Sequence, residues 1–319
     1  MSQVVPVTDY TFPTLEPEQK VLARVGATVI GHQAKTEAEL ISAVAGHSVV
    51  ITQFAPMTRK VLETLAPGSS VIRYGVGVDN IDLKAAKELG IKVAYVPDYC
   101  MAEVADHTVS MMLSLLRRLP MLDAGVRAGR WDGIQLAKPM LPLNQTVIGL
   151  IGLGRIGREV VKRLKVFGCQ FLVFDPYLKA EQAEDIGVGL ADLETVLKQA
   201  DALSLHIPLS AETRHFINKD RLAQMKPTAI LVNTARGGLV DAEALANALH
   251  RKTLYAAALD VFEIEPLPAD SPLRNAPNLL LSPHLAWYSE TAIERLQYLA
   301  AEEALRALKG EALRCPYPL

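Results

Sequence analysis

Cysteine is scarce. Cys100, Cys169 and Cys315 are the three in 319 residues; they lie far apart and lack CxxC spacing, so they read as free, packed thiols rather than a disulfide, metal or redox framework. An excess of charge of one sign is also missing. Lys plus Arg number 33 against 35 for Asp plus Glu, so nothing electrostatic points to nucleic acid or an anionic membrane, and small-molecule chemistry is the default. No apolar run approaches the roughly 18 residues that span a bilayer, and the opening MSQVVPVTDY lacks a basic stretch followed by an apolar core; a cytoplasmic chain is expected. Low-complexity linkers and solenoid repeats are absent too. What the chain does have is apolar mass: 50% of its residues are hydrophobic, more than one typical core holds, which favours two domains.

Short β-rich runs alternate with helical patterns from the start. The strand-like runs are Val4 to Val7, Ala27 to Ile30, Val49 to Thr52, Val71 to Tyr74 and Lys92 to Val96. Between them Glu18 to Val25, Glu37 to Ala45 and Arg59 to Leu65 carry apolar residues at three- and four-residue intervals. Such a βα alternation implies a parallel sheet wrapped by helices. The apolar stretch Ala102 to Leu119 reads as a connecting helix between the Pro97-Asp98 turn and Pro120. A second series opens at Thr146 and runs through QFLVFD, DALSLHIP, TAILVNTA, YAAALDVF and NLLLSPH, nearly continuously apolar as in strands covered on both faces. Ser289 to Lys309 is a long amphipathic helix that either caps the second series or returns to the first.

Gly152, Gly154 and Gly157 form GxGxxG between the strand-like TVIGLI and the helical REVVKRLKVFG. Glycines so placed permit a tight turn, close approach of a pyrophosphate and close helix packing, while the helix start offers free N–H donors. Alone, the motif is equally a glycine turn without ligand. Asp175, ending the next strand about 20 residues on, adds a carboxylate suited to the adenine ribose hydroxyls and repellent to an extra phosphate; the competing reading is a turn-starting Asp before Pro176.

Hydride exchange between a hydroxy acid and NAD requires a carboxylate clamp, a proton carrier and a group that tunes the carrier. Arg236 follows TAILVNTA and precedes Gly237-Gly238, at the carboxyl edge of the sheet where ligands bind in this architecture; a bidentate grip on substrate oxygens is natural there, against the alternative of a surface Arg in a turn. His284 ends LLLSPH, again just past a strand, and Glu265 follows YAAALDVF. A Glu against the far imidazole nitrogen would orient the ring and favour its protonated form. His206, at a strand edge, either lines the cofactor cleft or packs. His32, His47, His107, His215 and His250 read as surface or packing residues, and no metal site is expected.

The segments GLGRIG, VNTARGGLVD, AALDVFEIEP and SPHLAWYSE, with RYGVGVDNIDLKAAKELGI nearer the amino end, resemble the D-isomer-specific 2-hydroxyacid dehydrogenase family from about Val49 to Lys309. The resemblance implies an α/β fold with a Rossmann-type NAD-binding domain, 103–286, inserted into a flavodoxin-like substrate domain, 1–102 with 287–319, both doubly wound parallel sheets. It sends the last helix to the first domain. The family's catalytic trio falls on Arg236, Glu265 and His284. Its NAD contacts fall on Gly152, Gly154, Arg155, Ile156, Gly157, Asp175, the loop from His206, Ile207 and Pro208 to Thr213, then Thr234, Ala235, Arg236, His284 and Asp260, the last facing the nicotinamide amide. Substrate contacts fall on the Tyr74-Gly75-Val76-Gly77 segment, whose backbone N–H groups help hold the carboxylate, on Arg236 and on Trp287. PHLAWYSE is most similar to the C-terminal-binding proteins, beside the phosphoglycerate dehydrogenase-like branch, so an NAD-responsive regulatory binding protein is the alternative to an enzyme. A bulky Trp287, and no Arg in Thr52-Gln53-Phe54, favour a 2-oxo acid with a small or apolar tail over a phosphorylated one, with Arg73 the nearby cation. The family also implies a homodimer formed through the nucleotide domain.

Overall fold

The protein is described by a computed structural model over residues 3–319. It divides into two compact units, Met1–Cys100 with Tyr288–Leu319, and Met101–Trp287, against borders of 102/103 and 286/287 expected above.

The first unit contains β1 (Val4–Val7), β2 (Thr28–Gly31), β3 (Val49–Thr52), β4 (Ser70–Arg73) and β5 (Lys92–Tyr95) in the order β2-β1-β3-β4-β5, with every pairing parallel. This is the flavodoxin-like order, which reverses direction between β1 and β3. Helices Glu37–Val44, Arg59–Leu62 and Leu83–Glu88 start on side-chain caps: Thr36 forms a capping box with Glu39, Thr58 accepts from Val61 N–H and Asp82 from Ala85 N–H. Helix Glu290–Lys309, capped by Ser289, belongs to this unit. Gln297 on it donates to Thr14 O at 2.8 Å and to Glu18 Oε2 at 3.0 Å. Residues 315–317 run along β5, with Tyr95 N–H donating to Cys315 O and Tyr317 N–H to Val93 O, which occupies backbone groups an exposed sheet edge would leave open.

The second unit contains β6 (Val147–Ile151), β7 (Gln170–Phe174), β8 (Gly189–Leu190), β9 (Ala202–Leu205), β10 (Ile230–Asn233), β11 (Ala256–Leu259) and β12 (Leu279–Leu281), ordered β12-β11-β10-β9-β6-β7-β8 and all parallel. The order reverses at β6/β9, as in a Rossmann sheet extended by one strand; β8, two residues long, has no counterpart among the apolar runs read from the sequence. Alternation explains the unbroken apolar strands. Ile230, Val232, Ala256 and Ala258 enter one core with helices Met101–Leu116 and Arg155–Leu164, while Leu231, Ala257 and Leu259 enter another with helices Leu193–Gln199 and Ala242–His250. At roughly 1.5–3 kcal/mol per fully buried Leu, Ile or Val, these layers are the main source of the unit's stability.

One expected helix differs. Met101–Leu116 stops before Leu119, because Arg118 takes a left-handed conformation at φ 58° and a second helix, Leu119–Arg127, begins there with Pro120 in its first turn. Proline is tolerated where the helical N–H has no partner anyway. The buried Arg118 guanidinium donates to Leu115 O at 3.1 Å and Pro139 O at 2.9 Å and lies over the Tyr255 ring, 3.4 Å from its centroid, so one side chain both caps the first helix and secures the break. Among the described residues no helix is long and apolar enough to cross a membrane.

Candidate active site

The glycine turn between β6 and helix Arg155–Leu164 gives each glycine a separate reason. Gly152 has φ +88°, and a Cβ there would lie 2.8 Å from His206 O. A Cβ on Gly157 would lie 3.0 Å from Gly152 O, so this glycine lets the helix sit against the turn. Gly154 faces open space, with nothing within 4 Å of a Cβ, and as N-cap it provides no side-chain bond to the helix start. Uncapped N–H groups beside an open approach suit a pyrophosphate. Asp175, directly after β7, shapes the turn: its Oδ2 accepts Leu153 N–H at 2.8 Å and its Oδ1 accepts Tyr177 N–H at 2.9 Å. A carboxylate has about four acceptor positions, so these bonds use two of them.

Past β9, the His206 ring bonds Ser204 Oγ at 3.0 Å. Burial pushes its pKa down to about 4, so it is neutral near pH 7 and unsuited to carry a proton. The loop beyond is tied by Thr213, whose hydroxyl donates to Pro208 O at 2.8 Å and accepts Ser210 N–H at 2.7 Å. Ile207 packs on the core and its Cγ2 would meet a Cβ on Gly152 at 2.8 Å.

Arg236 leaves β10 through a turn built by Asn233, whose Oδ1 accepts Ala235 N–H at 3.0 Å and whose Nδ2 donates to Arg236 O at 2.8 Å. Gly237 follows by necessity: a Cβ there would lie 1.9 Å from the Phe262 carbonyl carbon. The Arg236 turn therefore rests on the loop that leads to Glu265. Glu265 Oε1 accepts Phe262 N–H at 2.8 Å and Oε2 meets His284 Nδ1 at 2.6 Å. Burial alone would raise the Glu265 pKa, but the hydrogen bonds from His284 and Phe262 and the charges of His284 and Arg236 outweigh it and hold the carboxyl below its ordinary range. The sequence-predicted Arg236, Glu265 and His284 thus come together, with Nε2 the His284 nitrogen that Glu265 does not hold.

His284 has φ 54°, and its segment is tied down by Asp260, the residue after β11. Asp260 is 1% exposed; its Oδ1 accepts Ser282 Oγ–H and Leu285 N–H, its Oδ2 accepts Ala286 N–H, and its carbonyl accepts His284 N–H at 2.7 Å. Its carboxylate thus ties β11 to the segment on both sides of His284. Trp287 Nε1 donates to His284 O at 2.8 Å. Two contributors were not singled out from the sequence. His107 Nε2 bonds Ser282 Oγ at 3.0 Å, and Thr108 Oγ1 bonds Thr234 Oγ1 at 2.7 Å. The one available signal was three polar residues interrupting an apolar helix, in ADHTV.

In the first unit, the side chain of Tyr74 points into the core, its hydroxyl donating to the buried Glu18 at 2.6 Å and its ring edge-on to Phe12. Tyr74 and Gly75 N–H donate to Thr52 O and Arg73 O, so two amides of the segment expected to hold the substrate carboxylate are bonded within the unit. Gly75 has φ +133°, and a Cβ there would collide with the Arg73 guanidinium. After β3, Gln53 and Phe54 N–H both donate to the Asp9 carboxylate, at 3.1 and 2.7 Å.

Residues 109–286 match the model of the D-isomer specific 2-hydroxyacid dehydrogenase family, NAD binding domain. The chain belongs to that family. Its cofactor is NAD, and the open glycine turn, uncapped helix start and strand-end carboxylate fit that group. This family member is 42% identical over 255 residues to the glyoxylate reductase of Thermofilum pendens, across 77% of this chain and 74% of that one. It is 40% identical over 303 residues to the D-3-phosphoglycerate dehydrogenase of Methanocaldococcus jannaschii, across 94% of this chain but only 57% of that protein's length. The crystal structure of the TT0316 protein of Thermus thermophilus superposes with a TM-score of 0.87 at 36% identity, covering 99% of this chain and 100% of that one.

Proposed function

We propose that this chain is an NAD-dependent oxidoreductase that interconverts a 2-oxo acid and a D-2-hydroxy acid. The observation that carries the proposal is His284 Nδ1 held by Glu265 Oε2 at 2.6 Å, with Arg236 close enough for its charge to act on the same carboxylate. NADH, when bound, supplies the hydride that reduces the carbonyl carbon. Arg236 grips the substrate carboxylate and carbonyl oxygen in a charge-assisted clamp. His284, protonated and steadied by Glu265, gives its Nε2 proton to the carbonyl oxygen as the alcohol forms, and takes it back in oxidation. Asp175 favours NADH, since a 2′-phosphate would meet its negative charge.

The proposed substrate has a small or apolar tail. Trp287 is bulky and pinned to the His284 backbone, and the amides of Gln53 and Phe54, potential anion donors, are already bonded to the negative Asp9. We also propose a cytoplasmic homodimer. None of the three cysteines is in a disulfide, in keeping with a reducing compartment. Segment 119–141 of the nucleotide unit exposes Leu119, Val126, Trp131, Ile134 and Leu141, an apolar stretch of the kind a second copy covers.

A reductase screen with NADH and NADPH over glyoxylate, hydroxypyruvate, phosphohydroxypyruvate and longer 2-oxo acids tests the proposal. Turnover with NADH on an unphosphorylated acid, giving the D product by chiral chromatography, is the expected result. Best activity on phosphohydroxypyruvate would overturn the substrate class, an L product the stereochemistry, and equal efficiency with NADPH the role of Asp175. No turnover on any acid, with NADH-dependent capture of a protein partner, would favour the regulatory alternative.

A further inference from the structure

Helix Met101–Leu116 packs on its sheet through Val109, Met112 and Leu115. Where it passes the carboxyl ends of β10 and β12 it instead presents His107 and Thr108, and each bonds a different strand-end segment. Thr108 meets Thr234, two residues before Arg236, and His107 meets Ser282, two residues before His284. Proton bookkeeping gives both bonds a direction. The hydroxyl of Thr108 donates to Val104 O at 2.7 Å, so its oxygen accepts and Thr234 is the donor. Ser282 donates its only proton to the Asp260 carboxylate, so its oxygen accepts and His107 Nε2–H is the donor. One chain of bonds therefore runs from His107 through Ser282 and Asp260 to the backbone N–H groups of Leu285 and Ala286, which follow His284. Another runs from Thr108 through Thr234 to the turn that carries Arg236.

We infer that His107 and Thr108 are positioning residues that set the placement of His284 and Arg236 relative to each other. The inference rests on the functional reading above for what those two side chains do, but not for the geometry it predicts. Because adjacent residues of one rigid helix hold both segments, loosening either bond moves one reacting group and leaves the other and the glycine turn in place. Misplacement on the ångström scale costs up to about a hundredfold in rate.

The test compares His107→Leu, which fills the same space without a donor, with His107→Gln, whose amide N–H restores one, and Thr108→Val with Thr108→Ser. His107→Leu should lower kcat about ten- to a hundredfold with NADH Kd within about threefold, and His107→Gln should recover most of the loss. Thr108→Val should act through Arg236, raising the 2-oxo acid KM about tenfold, with Thr108→Ser restoring it. Histidine-ring NMR reads the same inference without turnover: the His284 signals, identified by their loss in His284→Ala, should shift in His107→Leu and return in His107→Gln. If His107→Leu does not fold, Thr108→Val carries the test through the Arg236 Nε–H signal. Unmoved His284 signals in folded His107→Leu, or no recovery with His107→Gln, would overturn the inference. A wild-type protein inactive on every 2-oxo acid would overturn the functional reading alone, because the ring signals would still report the placement.

Discussion

At the scale of single residues, the site depends on one imidazole held at one nitrogen. His284→Ala removes the proposed proton carrier and leaves the glycine turn and Arg236 in place. Turnover should fall at least about a hundredfold while NADH affinity stays within a few-fold, measured by steady-state kinetics and fluorescence titration; a small loss would remove His284 from the chemistry. Glu265→Gln takes away the carboxylate that holds His284 Nδ1 at 2.6 Å. Turnover should fall about ten- to a hundredfold with NADH affinity within a few-fold, and an unchanged turnover, with chemistry rate-limiting, would show that Glu265 does not position the ring. A second histidine governs stability. The His206 pKa is held at about 4 against an ordinary 6.5, so between those values the unfolded chain binds a proton that the folded one refuses. Stability therefore falls as pH drops from 6.5 towards 4, by up to about 3 kcal/mol. Denaturant unfolding at pH 7, 5 and 4 should show that loss in the wild type and less of it in His206→Gln; equal losses would mean that His206 is not the source. Gly152, Asp175, Arg236 and His284 could be picked out from sequence because strand ends and glycine turns have local signatures. Ser282 has none and His107 only its polar place in an apolar helix, since a polar residue beside a strand or on a helix is ordinary until its partner is known.

At the scale of elements, the candidate side chains stand on strand-end segments held by backbone-directed bonds: Asn233 for the Arg236 turn, Asp260 for the His284 segment and Asp175 for the glycine turn. The tightest approach to backbone is that of Gly237 to the Phe262 peptide. No rotamer change relieves a clash with backbone, so Gly237→Ala must separate the Arg236 turn from the Glu265 loop. Overpacking of this kind costs about 1–3 kcal/mol, or more where backbone must move. A lowered melting temperature together with a raised 2-oxo acid KM is expected, and a variant with wild-type values for both would mean that the loops separate freely. Element positions were largely evident from periodicity, with Val4–Val7 and Val49–Thr52 as anticipated. The end of helix Met101–Leu116 was not, because the break depends on Arg118 reaching the carbonyls of Leu115 and Pro139 and the ring of Tyr255, and apolar spacing carries no record of those contacts.

At the scale of the whole molecule, each unit is a doubly wound parallel sheet whose strand order reverses once, and segment 119–141 of the second unit leaves Trp131 90% exposed. If a second copy covers that segment, light scattering at micromolar protein should give the mass of a dimer, and Trp131→Glu should shift it towards the monomer. A monomeric wild type would contradict the proposed assembly. The sequence by itself determined the βα alternation, the two series of strands and the glycine turn with its downstream carboxylate, and it marked Arg236, Glu265 and His284 as candidates by their places after strands and by family resemblance. The first three follow from the period of apolar side chains and from a spacing of about 20 residues. Only the tertiary structure decided what surrounds them: that Asp175 shapes its turn, that Asp260 holds the His284 segment, and that His107 reaches Ser282 across 175 residues of chain. The physical reason is that strand order, not strand sequence, determines which sheet-edge segments become neighbours, and a side chain's hydrogen-bond partners follow from that order.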